Sequence, residues 1–111
     1  PFVVDNKPGA GGSLGTAEAA RAAPDGHTLL VSNTGPLAVA PSLFSSLAYD
    51  PQRAFARVSM FGGAPIVCAV KGDGPIRTMA DYLAMARRRP EEVSFGSSGV
   101  GSAGHLTGVL F

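Results

Sequence analysis

Short apolar runs, broken by turns rich in glycine and proline, alternate with helix-forming stretches along this chain. Residues 2–5 read as a strand. A helix is expected from Gly12 or Ser13 through Ala23, because its alanine-rich centre has high helix propensity. Pro24-Asp-Gly26 stops it. His27–Ser32 reads as a second, buried strand, broken by Asn33-Thr-Gly35-Pro36. Residues 37–47 are apolar with short turns, including a helical turn around Pro41. Tyr49-Asp-Pro51 marks a further turn. Arg57–Phe61 reads as a strand, Gly62-Gly63 as a joint, and Ile66–Val70, apolar throughout, as a buried strand. The clearest helix is Met79–Arg89, with Thr78 as N-cap and Asp81 three residues on in a short capping box. Met79, Leu83 and Ala86 recur at helical spacing and form its core stripe, and Pro90 stops it. Val93–Phe95 is a last strand, and a helix starts near Ser102.

This order, with apolar strands alternating with helices, predicts an α/β protein with mainly parallel sheet. Ligands of such sheets sit beyond the carboxyl ends of the strands. Gly9–Gly15, Asn33–Gly35 and Gly96–Ser102 all fall at such ends. Phe2-Val-Val4 opens on an apolar run and Leu106–Phe111 stops inside a helical one, so the chain reads as a piece of something longer.

Composition narrows the function classes. Of 111 residues, 45% are hydrophobic and 15% charged, which is the profile of a folded chain and not of a disordered one. The net charge is +1, with no basic stripe interleaved with aromatics, so nucleic-acid binding has no support. No apolar run approaches a membrane span, and no signal peptide stands at the start. Cys68 is the single cysteine; an intrachain disulfide and a cysteine metal cluster are excluded. It lies in Ile66-Val-Cys-Ala-Val70 and reads as a buried, inert thiol.

The glycine-rich turns carry the candidate chemistry. In Gly96-Ser-Ser-Gly-Val-Gly-Ser102, Gly96 and Gly101 have P-loop spacing, but Ser102 stands where the phosphate-binding lysine belongs. That counts against nucleotide hydrolysis. An anion cradle of backbone N–H groups and the hydroxyls of Ser97, Ser98 and Ser102, beside a helix N-terminus, remains open. The alternative is a strand-to-helix turn whose glycines serve backbone geometry. Gly9-Ala-Gly-Gly-Ser-Leu-Gly15 is an imperfect dinucleotide fingerprint. Position 14 is leucine, and the next strand ends in Asn33 where a ribose-binding acid would stand. It too has a plain reading as a tight turn with close helix packing. His27 reads as a surface residue, and the Arg87-Arg-Arg89 run as a solvated helix end. His105, one turn into the last helix, either faces the anion site or packs as a satisfied polar residue. No base–nucleophile pair or metal-ligand cluster is evident, so neither a catalytic constellation nor a cofactor is expected.

Four segments in order carry a family resemblance: Val4-Asp-Asn-Lys-Pro-Gly-Ala-Gly-Gly-Ser-Leu-Gly15, Ala23-Pro-Asp-Gly-His-Thr-Leu-Leu30, Tyr49-Asp-Pro51 and Phe95-Gly-Ser-Ser-Gly-Val-Gly-Ser-Ala-Gly-His-Leu106. Together they resemble the substrate-binding receptors of tripartite tricarboxylate transporters, the Bug family. The likeness covers almost the whole chain. Three positions depart from the family pattern: His27 for a common tyrosine, and Ala54 and Arg57 for the usual aspartate and proline.

The resemblance implies a bacterial periplasmic protein, its signal peptide removed, of the type II periplasmic-binding-protein class. Two α/β lobes would close on a small carboxylate like a Venus flytrap. The receptor would deliver its ligand to membrane permease subunits and do no chemistry. Residues 1–61 would be part of the first lobe, and 62–111 the crossover and start of the second. Ser97, Ser98, Gly99, Gly101 and Ser102 match the family's carboxylate-gripping turn. Asn33, Thr34 and Gly35 match the first-lobe loop facing the cleft. Gly11, Gly12 and Ser13, together with His105, are weaker candidates. A nucleotide- or NAD-binding α/β enzyme is the alternative.

Overall fold

Helix starts in this chain are set by glycine turns and side-chain caps. The computed structural model describes all residues from 1 to 111. It contains four helices, α1 (Ser13–Ala19), α2 (Ala40–Leu43), α3 (Met79–Arg88) and α4 (Ala103–Leu110). They are distributed over two compact units, one of Pro1–Gly63 with Ser97–Phe111, the other of Ala64–Gly96.

In the first unit, the backbone enters α1 through four successive residues with positive φ: Gly9 (125°), Ala10 (46°), Gly11 (63°) and Gly12 (98°). Three of the four are glycines, which adopt this conformation without a Cβ penalty. α1 buries Ser13, Thr16 and Ala17, the i, i+3, i+4 face of a helix. Thr16 Oγ1 donates to the Gly12 carbonyl at 3.0 Å, which satisfies a buried hydroxyl inside its own helix. The helix ends four residues before the expected Ala23. Its end tightens into three-residue bonds, Arg21 N–H to the Glu18 carbonyl (3.0 Å) and Ala22 N–H to the Ala19 carbonyl (3.1 Å), a common way to satisfy terminal carbonyls.

The helical turn expected around Pro41 is present, as a π-helical turn over Gly35–Val39 that runs into α2. Pro41 has no N–H to give the Leu37 carbonyl, and its ring crowds that carbonyl; the wider turn just before it, in which Ala40 N–H donates to the Gly35 carbonyl, eases the crowding. The buried centre of this unit is small and partly polar. Ala17, Ala40 and Tyr49 are its apolar members, and Ser13, Thr16 and Ser102 are buried with them. Tyr49 packs edge-on against Phe55, with ring centroids 6.3 Å apart.

In the second unit, α3 begins as its sequence predicts. Asp81 N–H donates to Thr78 Oγ1 at 3.1 Å, and Thr78 N–H donates to Asp81 Oδ2 at 2.9 Å, so both halves of the capping box form. Hydrogen bonding with the Thr78 side chain, then with the backbone N–H groups of Arg77 and Thr78, holds the Asp81 carboxyl below its usual range. The box is therefore fully present at neutral pH and is lost as pH falls through that depressed pKa. Thr78→Ala is expected to cost roughly 1 kcal/mol of stability, the usual worth of an N-cap; chemical denaturation of the intact protein checks it. At the other end, Arg89 pairs with Glu92 at 3.2 Å, and Pro90–Glu92 forms a short 3-10 turn. The expected core stripe is only half covered: Leu83 and Ala86 are intermediate in burial, and Met79 is 45% exposed.

The strand expectations are corrected. Residues 2–5, 27–32, 57–61, 66–70 and 93–95 lie outside any β-ladder, and no parallel sheet is present. A strand exists only through hydrogen bonds to a neighbouring strand, and apolar patterning reports readiness to pair without supplying the partner. Here the side chains of those runs stay open, with Phe2 at 92%, Val58 at 87% and Phe61 at 91% exposure. Cys68, expected to be buried, is exposed for the same reason.

Candidate ligand-binding site

Three turns of the first unit, Gly9–Ser13, Asn33–Pro36 and Ser97–Ser102, meet backbone to backbone. A Cβ placed on Gly11 would lie 2.8 Å from the Val100 carbonyl oxygen, and one on Gly99 would lie 2.9 Å from the Gly11 nitrogen. One on Gly35 would come within 3.1 Å of the Gly101 carbonyl oxygen. Gly11 (φ 63°) and Gly99 (φ 127°) are thus favoured by φ as well as by approach, and Gly35 by approach alone.

Within the third turn, Ser102 N–H donates to the Gly99 carbonyl at 3.1 Å, and Gly99 N–H reaches Ser97 Oγ at 3.4 Å. Ser102 is the N-cap of α4, its Oγ accepting from His105 N–H at 3.1 Å. Gly101 N–H donates to His105 Nδ1 at 3.4 Å. Gly101 and Ser102 are buried, whereas Ser97 and Ser98 are exposed. Gly99 (φ 127°) and Gly101 (φ 84°) both occupy the left-handed side. In the second turn, Asn33 Oδ1 accepts from Gly35 N–H at 3.0 Å, an Asx turn that sets up the π-helical segment. Asn33 and Thr34 are exposed, and Gly35 is buried. In the first turn, Gly11 and Gly12 are half-buried and Ser13 is buried.

The three turns carry no charged side chain. What they offer an anion is backbone N–H groups, hydroxyls, the Asn33 amide and the first turn of α4. Charge-assisted hydrogen bonds of this kind suit a carboxylate. No group of three or more His, Cys, Asp or Glu side chains is placed to hold a metal. An open, mainly apolar recess of about 220 Å³ lies beside the turns, lined by Ala10, Ser13, Leu14, Ala17, Phe44 and Tyr49 among others. Of the sequence candidates it includes only Ser13.

Two residues outside the sequence candidates hold the turns in place. Tyr49 OH donates to the Pro36 carbonyl at 2.7 Å and lies 3.4 Å from Ser13 Oγ, tying the second turn to the start of α1. Thr16 Oγ1 lies 3.4 Å from Ser32 Oγ, beside the residue that leads into Asn33. The signal the sequence offers for Tyr49 is an aromatic next to Asp50-Pro51, a pattern that marks a turn. His27 is exposed, its N–H given to Asp25 Oδ1 at 2.9 Å.

Residues 1–111 match the family model described as tripartite tricarboxylate transporter family receptor. Protein BugT of Bordetella pertussis is 39% identical over 112 residues, covering 100% of this chain and 34% of that protein. A UPF0065 protein in the tcbD-tcbE intergenic region of a Pseudomonas species is 37% identical over 108 residues, covering 97% of this chain and 32% of that protein. A UPF0065 protein in the TAR-I ttuE-ttuC' intergenic region of Agrobacterium vitis is likewise 37% identical over 108 residues, covering 97% and 31%. The chain therefore spans about a third of the length of these relatives. No solved structure matches it. Proteins of this family are extracytoplasmic substrate-binding receptors with a periplasmic-binding-protein-like fold, and they are not enzymes. No helix here is long and apolar enough to cross a membrane. With the match running from the first residue to the last, the chain belongs to the tripartite tricarboxylate transporter receptor family.

Proposed function

We propose that the protein is a periplasmic solute receptor that binds a small carboxylate and hands it, unchanged, to the membrane permease subunits of a tripartite tricarboxylate transporter. The observation that carries this reading is the meeting of three uncharged, glycine-rich turns in a member of a receptor family. Asn33, Thr34, Gly35, Ser97, Ser98, Gly99, Gly101 and Ser102 form the proposed grip, with Gly11, Gly12, Ser13 and His105 in support. Residues 1–61 are assigned to the first lobe and 62–111 to the crossover and the start of the second.

Neutral donors suit a receptor that must release its cargo. They orient a carboxylate through directional hydrogen bonds, and the dipole of α4 adds a modest attraction. Permanent cations would add affinity but slow release, since tighter binding is mostly slower dissociation. The reading is tested by calorimetry of the intact receptor against mono-, di- and tricarboxylates, with ATP and NAD alongside. Saturable binding of at least one carboxylate is expected. Binding of a nucleotide and of no carboxylate would overturn the reading.

A further inference from the structure

We infer that His105 is a positioning residue for the Ser97–Ser102 turn, fixing its shape through the ring nitrogen Nδ1 without touching ligand; the affinity part of the inference rests on the carboxylate-receptor reading. One residue holds two neighbours of the turn at once. Its main-chain N–H donates to Ser102 Oγ at 3.1 Å, while its Nδ1 accepts the Gly101 N–H at 3.4 Å.

The arrangement is a capping box moved back by one residue. In the usual box the side chain at the third helical position returns to the N-cap N–H. Here Ser102 is the N-cap and His105 the third helical residue, and the imidazole reaches the residue before the cap. That partner matters because Gly101 is buried with φ 84°. A buried amide N–H must find an acceptor, and the glycine-only backbone there turns this one towards α4. Acceptance at Nδ1 fixes the ring as the neutral tautomer with its proton on Nε2. The Gly101 N–H is thereby committed inside the protein. Gly101 and Ser102 therefore serve the proposed grip by shaping the turn, and the donors left to the ligand are those of its exposed side, Ser97 and Ser98, with the first two amides of α4.

The test uses the intact receptor with His105→Ala, His105→Asn and His105→Gln. Asn places its amide oxygen near the position of Nδ1, whereas Gln places its own near Nε2. Nitrogen NMR of the imidazole should show Nδ1 unprotonated in the wild type. His105→Ala should speed hydrogen exchange of the Gly101 amide, and weaken binding of the carboxylate found by calorimetry, each by roughly tenfold, the scale of one hydrogen bond. His105→Asn should recover most of both losses, and His105→Gln neither. A proton on Nδ1, unchanged Gly101 exchange in His105→Ala, or an Asn variant no better than Ala would overturn the inference. If the wild type binds no carboxylate, the receptor reading fails, while the tautomer and exchange measurements still decide the role of His105.

Discussion

Gly99→Ala is expected to lower carboxylate affinity by roughly tenfold or more and to destabilise the receptor by about 1–3 kcal/mol, the usual cost of holding a side chain in a glycine-favoured backbone conformation. Two independent penalties act at this position. The backbone has φ 127°, and the new Cβ would meet the Gly11 nitrogen at 2.9 Å and its Cα at 3.2 Å. Neither atom belongs to a flexible side chain, so relief requires one turn to move away from the other. Gly62→Ala isolates the first penalty, because Gly62 has φ 143° with nothing within 4 Å of its Cβ position. The comparison is read by thermal unfolding and calorimetry on both variants. Equal loss of affinity in the two would show that contact between the turns contributes nothing to binding.

What the sequence disclosed follows a physical division between local and non-local interactions. Thr78 and Asp81 are three residues apart, and their capping box is a contact within one helical turn, so it was readable and formed as expected. The start of α4 at Ser102 was readable for the same reason. The five apolar runs depended on partners elsewhere in the chain. Their composition announced an affinity for burial, but no position within Ile66–Val70 could specify which strand, if any, lies beside it. Burial of Cys68 depends on the same absent partner, and the thiol is exposed. At the site, the glycine turns were visible as motifs, whereas their meeting was not. The closeness of Gly11 to Gly99 joins residues 88 positions apart, as the numbering gives. Tyr49 was visible only as part of a turn, since nothing in Tyr-Asp-Pro reveals that its hydroxyl ends on the Pro36 carbonyl.

That hydroxyl is the second position where a small change should have a large effect. Tyr49→Phe keeps the ring, its edge-on packing against Phe55, and nearly all of its buried area, so the change isolates one oxygen. The deleted group donates at 2.7 Å to the Pro36 carbonyl in an interior where Pro36 is itself among the most fully buried residues. Water cannot readily take its place, and a buried acceptor left without a donor costs about 1–3 kcal/mol. The expected result is an unfolding free energy lowered by that amount, read as a lower denaturation midpoint with an unchanged denaturant slope, since the surface exposed on unfolding hardly differs. Pro36 follows Gly35 directly and lies in the first turn of the π-helical segment, so the same deletion should loosen the Asn33–Gly35 turn and weaken carboxylate binding. Tyr49→Ala adds a cavity to the lost bond, and large-to-small aromatic substitutions in a core cost roughly 3–5 kcal/mol. If Tyr49→Phe stays within about 0.5 kcal/mol of the wild type, the ordinary range of a surface change, the ring alone holds the turn. If it falls by the larger amount while Tyr49→Ala falls further, the hydroxyl and the ring act as separate ties between the ligand turn and the buried face of α1.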